Sequence, residues 1–360
     1  MILHLNNSRT WRGGEQQLYY LVCGLAERKI PQILIGQPNS ELESRISEKV
    51  KFFPIKMKGE YDLIAAYKIA KIAKENQVKL IHTHTGATHG LALLAKFFFP
   101  SPKLVVSRRV DFHINKNPLS LRKYYSKRID YFLTVSNRIK EVLIEDGVRP
   151  EKVVTVYSGI DLNKFKEAGN RNKLLKEFNI PSDTVIIGNV AALVDHKDHE
   201  TMLRSIALIQ TEKKFIFFLV GAGELETKLK NLVMELGISD KVVFTGFRND
   251  IKDFYAFFDV FTLTSKEEGL GTSVLDAMAN ELPIIATTGG GISEMLEDGN
   301  GSLLAPVGDY TRLAAHYKKL IESKTLRKEY GKRNKESVKA FSVENTIQKT
   351  IQVYTSLIGN

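Results

Sequence analysis

The residues able to do chemistry gather between Ser265 and Glu294, SKEEGLGTSVLDAMANELPIIATTGGGISE. The apolar, aromatic and β-branched run Phe258–Ser265 predicts a buried strand. Glu267, Glu268, Gly269, Leu270 and Gly271 follow it. A helical pattern then runs from Thr272 to Ala279 with Val274, Leu275 and Met278 on one face. A helix start of this kind offers unpaired N–H groups and the positive end of a dipole, which suits a phosphate. The next strand, Pro283–Thr287, ends in Gly289, Gly290 and Gly291 before another short helix. Two strand–glycine–helix turns side by side, with an exposed carboxylate in the first, form a pocket suited to a phosphorylated sugar.

Other chemistry-bearing residues lie upstream. Gly13 and Gly14 precede a predicted helix and make a second backbone-amide site. His82, His84 and His89 sit in LIHTHTGATHG. A metal reading is disfavoured, because no carboxylate or cysteine stands at ligand spacing and no Asp-x-Asp occurs in the chain. The strand end is expected to face a cleft with His84 beside an acceptor; a packed core histidine is the alternative. Ser107–Arg128 carries seven Arg or Lys and one acid, with Phe112, Leu119, Leu121, Tyr124 and Tyr125 between them.

The string E-G-L-G-x4-D-A-M-A from Glu268, followed by a Pro-led strand and a GG-x-x-E turn, resembles the donor-site signature of the family 4 glycosyltransferases. That resemblance implies the GT-B fold, with two Rossmann-like domains facing a cleft. It implies retaining transfer of a sugar from a nucleoside diphosphate sugar to a hydroxyl of a glycolipid or polysaccharide precursor. The nucleotide sugar is then the donor substrate, with no cofactor and no metal ion. On this reading Glu268 binds the donor sugar and Asp276, where the family usually has Glu, binds the ribose. Gly269, Leu270, Gly271 and Thr272 cradle the donor, and Lys197 holds its diphosphate. The family's second diphosphate cation is replaced by Ala192, so Arg248 or the basic first half is expected to supply that charge. Gly13 and Gly14 approach the donor phosphate, and Phe247 and Arg248 lie against the base. His84, Arg108, Arg109 and Asp111 fall on the acceptor side, where many members carry a histidine that this chain lacks in secure register. A nucleotide-sugar epimerase of the same fold is one alternative. A basic nucleic-acid-binding protein is another, but it has no binding motif and leaves Glu268 unexplained.

Positioning these groups takes two domains, the default for 360 residues. Short apolar strands alternate with helical patterns throughout, which predicts α/β architecture with parallel, doubly wound sheets. The expected domains are 1–165, acceptor-binding, and 166–340, nucleotide-sugar-binding, hinged in the polar, helix-poor stretch 161–172. The last helix, from about 341 to 360, is expected to cross back to the first domain. Ser136 is the expected N-cap of the helix that follows it. The single cysteine, Cys23, fits a reducing compartment, and no signal peptide or membrane span is read, so a cytoplasmic location is expected. Residues 1–165 carry 27 Lys+Arg and 15 Asp+Glu, a net of +12, which leaves −1 of the total +11 for the remainder. An anionic partner should therefore meet the first half. An anionic membrane surface, peripherally bound through Arg108, Arg109, Lys116, Arg122, Lys123, Lys127 and Arg128, is the expected partner; nucleic acid is not.

Overall fold

The computed structural model describes residues 1–46, 48–165 and 169–359. The chain forms two compact units, residues 1–159 together with the chain from Val343 onward, and Ile160–Ser342. The expected boundary at 165/166 adjoins residues 166–168, which lie outside the described residues. The division falls earlier, at 159/160. The stretch 161–172, expected to be helix-poor, holds a 3-10 turn at Leu162–Phe165 and the start of a helix, Arg171–Glu177.

The first unit has seven strands: β1 (Ile2–Leu5), β2 (Gln32–Gly36), β3 (Lys51–Pro54), β4 (Leu80–Thr83), β5 (Lys103–Arg108), β6 (Tyr131–Thr134) and β7 (Val153–Thr155). They form one parallel sheet in the order β3-β2-β1-β4-β5-β6-β7. Most of these strands are near-continuous apolar runs because helices cover both faces. On one face Leu3, Leu5, Ile33 and Ile81 pack with Ala65 and Ile69 of the helix Leu63–Glu75 and with Leu91 of the helix Gly86–Phe98. On the other, Ile2, Leu80, Val105 and Leu133 pack with Leu21 and Leu25 of the helix Gly13–Glu27 and with Ile347, Val353 and Tyr354 of the last helix, Val343–Ile358. That shared apolar layer is why the chain's end belongs with its beginning. Side-chain caps fix the helix starts: the amides of Ala65, Thr88 and Ile139 donate to Asp62, Thr85 and Ser136.

The second unit repeats the plan with β8 (Val185–Val190), β9 (Phe215–Val220), β10 (Val242–Gly246), β11 (Val260–Leu263), β12 (Ile284–Thr287), β13 (Glu297–Asp298) and β14 (Gly301–Ala305). The order is β10-β9-β8-β11-β12-β14-β13. The strand order reverses between β1 and β4 in the first sheet and between β8 and β11 in the second. The loops leaving the carboxyl ends of such a pair diverge and open a crevice, where ligands of doubly wound sheets bind. Among the described residues no helix is long and apolar enough to cross a membrane.

Candidate active site

In the second unit the crevice at β8 and β11 brings two distant side chains together. Lys197 leaves the loop after β8, and Glu268 leaves the loop after β11. The Lys197 ammonium donates to the Glu268 carboxylate, and Ser265 donates to the same oxygen at 3.3 Å. Both members of the pair are largely shielded from solvent. The loops are tied by their backbones. Lys266 N donates to His196 O at 2.8 Å, and Thr264 Oγ1 reaches Asp198 O at 3.0 Å. On the other flank Gly291 N donates to Glu268 O at 2.8 Å, and Thr287 Oγ1 to Ser265 O at 2.8 Å. Gly289 is required there, since a Cβ would stand 2.0 Å from Ser265 O.

Gly271 adopts φ 84°, a left-handed turn that starts the helix Thr272–Ala279 without a side-chain cap. Its backbone amides begin beside Glu268, and the first turn closes only with Val274 N donating to Gly271 O at 2.9 Å. Leu270 is buried, so it can offer a ligand only its backbone. Asp276, half-buried on that helix, has its carboxyl lifted to about 6 by burial, an effect the nearby Lys164 partly opposes.

Phe247 and Arg248 part company. Phe247 is 75% exposed, an open ring after β10. The Arg248 guanidinium is held bidentately by Glu177, at 2.6 and 3.1 Å, and by Asp250, at 2.8 and 2.7 Å. Lys173 joins the same cluster through Asp250 and Asp253. Arg248 therefore fastens the helix Arg171–Glu177 to the loop after β10. It is not a spare cation in place of the one missing at Ala192.

In the first unit, Gly13 and Gly14 lie inside the first helical turn rather than ahead of it. Near them His4, His82 and His84 cluster with ring nitrogens within 4.8 Å of one another. No motif or spacing along the chain singles out His4. Parallel pairing of β1 with β4 sets it opposite His82, and His4 Nδ1 and His84 Nε2 share a hydrogen bond at 3.0 Å. Both nitrogens of His82 are engaged, by Tyr354 and by Ser107. Burial keeps all three rings neutral. His89 stands apart, packed edge-on against Tyr124 and Phe132. Two further groups were missed: Asn6, which donates to Glu15 at 3.2 Å, and Glu15, which also accepts from Arg12 N at 3.1 Å.

The arginines expected on the acceptor side differ. Arg108 is buried; it donates to Val110 O, Phe112 O and Tyr124, and so staples its own loop to the helix Pro118–Tyr124. It faces neither an acceptor nor a membrane. Arg109 lies half-buried against Gly14, and Asp111 is half-buried in the loop beyond.

Two doubly wound parallel sheets, each opening a polar crevice where its strand order reverses, define a GT-B glycosyltransferase. A solved structure titled as Anabaena HepE in complex with UDP-glucose has this fold: TM-score 0.86, 21% identity, 99% of each chain covered. The chain belongs to the group 1, family 4 glycosyltransferases. The family model described as Glycosyltransferase Family 4 matches residues 11–164, and that described as Glycosyl transferases group 1 matches 170–337. It is similar to N-acetyl-alpha-D-glucosaminyl L-malate synthase of Bacillus anthracis, 28% identical over 83% of this chain and 80% of that one. It is also similar to the lipopolysaccharide core biosynthesis glycosyltransferase LpsE of Rhizobium meliloti, 24% identical over 96% of each. The protein is a glycosyltransferase of the hexosyltransferase type.

Proposed function

We propose that this enzyme transfers a sugar from a nucleoside diphosphate sugar to a hydroxyl of a lipid-linked or polysaccharide precursor of the cell envelope, with retention and without a metal ion. The observation that carries the reading is the meeting of Lys197 with Glu268 at the β8/β11 crevice, beside the uncapped helix start at Gly271. A donor diphosphate takes Lys197 over from Glu268 and adds the free amides of Gly271 and Thr272, which stabilise negative charge as the sugar leaves. Glu268, so released, binds hydroxyls of the sugar and holds it for attack. Asp276 binds the ribose, and Phe247 lies against the base. His84, Arg109 and Asp111 serve the acceptor. The support from relatives is the UDP-glucose bound by HepE and the envelope role of LpsE.

A thermal-shift screen over UDP-, GDP- and ADP-sugars tests the reading, since a ligand that binds only the folded state raises the melting temperature. A product assay follows, with and without a lipid-linked acceptor. Turnover of the donor to an epimer without acceptor would replace transfer by epimerisation.

The working place we read as the cytoplasmic face of an anionic membrane. Ten of the fifteen exposed large apolar side chains among the described residues lie between Tyr61 and Tyr125. Tyr61, Phe97 and Leu119 share one groove with Arg122, Lys127 and Arg128. Apolar side chains rimmed by cations are what an anionic lipid surface attracts. Arg108 and Arg109 turn inward and leave this set, and Lys123 is paired with Glu60 at 2.6 Å.

A further inference from the structure

We propose that Arg109 anchors an oxyanion-binding site in the first unit, so that the molecule taken there carries a phosphate or carboxylate group. The anion site stands on the geometry of this unit alone. Its assignment to the acceptor rests on the transferase reading above.

Arg109 is set apart by what it lacks. Its Nε is out of reach of solvent and has no hydrogen-bond partner. Among the described residues its guanidinium makes no ion pair and no ring contact. The other shrouded cations are engaged: Arg108 by three oxygens, Lys96 by Pro102 O, Lys152 by Ile129 O, and Arg171 by Phe257 O and Asp259. Taking a charge out of water without a partner is strongly unfavourable. A buried polar group left so calls for a reason, and a bound ion is one. Burial lowers the Arg109 pKa only to about 10, so the group stays charged at neutral pH.

The surroundings favour an anion. Arg109 Cδ lies 3.7 Å from where a Cβ of Gly14 would be, which sets it against the first turn of a fifteen-residue helix. The first amide there with a backbone partner is that of Gln16, which donates to Arg12 O, so the amides of Gly13 and Gly14 are without a backbone acceptor. His84, 5% exposed, feels the Arg109 charge and has an unpartnered, buried Nδ1. If His4 donates in the His4–His84 bond, His84 Nδ1 is a donor as well. Glu15 is the carboxylate whose charge reaches Arg109. It lies beyond ion-pair reach, and its two oxygens are taken by Asn6 and by Arg12 N. A guanidinium fork and a helix start together match the oxygens of a phosphate or carboxylate, and the tautomer in which His4 donates adds the His84 N–H to them.

The test uses the chain's single tryptophan, Trp11, two residues ahead of Gly13, as a fluorescent reporter. The intact protein, saturated with whichever of UDP, GDP or ADP it binds, is titrated with pyrophosphate and separately with succinate. At least one anion should bind saturably. Arg109→Gln should weaken it by about tenfold or more, with Arg109→Lys between, because a charged hydrogen bond is lost. Nucleotide affinity should not change. Without anion, Arg109→Gln should melt no lower than the parent, since it removes an uncompensated charge. Pyrophosphate binding better than succinate assigns the site to phosphates; the reverse assigns it to carboxylates. The proposal is overturned if neither anion binds at millimolar concentration. It is overturned equally if Arg109→Gln binds as the parent does, or if both variants melt far below it, which would make Arg109 a structural charge. A parent that binds anions but none of the three nucleotides would sink the transferase reading and leave the anion site standing.

Discussion

Lys197 and Glu268, 71 residues apart in the chain, form one ion pair at the mouth of the β8/β11 crevice, and Ser265 donates to the same carboxylate oxygen. The pair holds the two charges that a sugar diphosphate would need, each occupied by the other until a donor separates them.

Glu268→Ala should therefore lower kcat by about 100-fold or more, while nucleoside diphosphate affinity stays equal or tightens as Lys197 is released. Steady-state kinetics and calorimetry with the diphosphate check both halves. A variant that keeps more than about a tenth of parental turnover, a barrier change of only about 1.4 kcal/mol, removes Glu268 from the mechanism.

Asp276 gives a pH signature. Its carboxyl is lifted from 3.8 to about 6 by burial. The folded state thus holds the proton more tightly than the unfolded chain, and ionisation costs stability. That cost appears as pH rises from 3.8 and is complete above about 6, on the order of 3 kcal/mol at most. Asp276→Asn should melt higher than the parent at pH 7.5 and show no such advantage at pH 4. If the ionised carboxylate accepts from the ribose, the donor KM should fall through pH 6 in the parent and stay flat in the variant. Matching KM profiles would show that Asp276 does not reach the nucleotide.

Arg248 should behave as a structural residue. Its partners are partly exposed, so Arg248→Ala should cost about 1 kcal/mol of stability. The donor KM should move by less than about threefold, under 1 kcal/mol. A tenfold rise in donor KM with an unchanged melting temperature would return Arg248 to the diphosphate.

Membrane docking predicts that Arg122→Glu with Lys127→Glu, and separately Ile64→Asp at an exposed apolar residue of the helix Leu63–Glu75 within that stretch, lower co-sedimentation with anionic vesicles and leave the donor KM unchanged. Each cation near such a surface is worth about 1 kcal/mol. At about 0.15 M salt, screening already acts within about 8 Å. Parental co-sedimentation by both variants under those conditions would end the membrane reading.

Chelation should leave transfer unaffected, because both ring nitrogens of His82 are occupied by Tyr354 and Ser107. Loss of activity in EDTA, restored by a divalent ion, would point back to the cluster of His4, His82 and His84.

Alternation of apolar strands with amphipathic helices was legible along the chain, and so were the glycine turns around Glu268, whereas the meeting of Glu268 with Lys197, 71 residues away, was not. The legible features are local: a strand end, a glycine and a helix start are written within about ten consecutive residues. The two strands that flank the site, expected over Phe258–Ser265 and Pro283–Thr287, form at Val260–Leu263 and Ile284–Thr287. The tertiary structure alone decided which of two adjacent arginines is stapled inward by three oxygens and which is left without a partner. It alone set His4 opposite His82, and it committed Arg248 to Glu177 and Asp250. Each of these depends on parallel pairing and helix packing between segments far apart in the chain, where a one-residue change of register turns a side chain to the opposite face of its sheet.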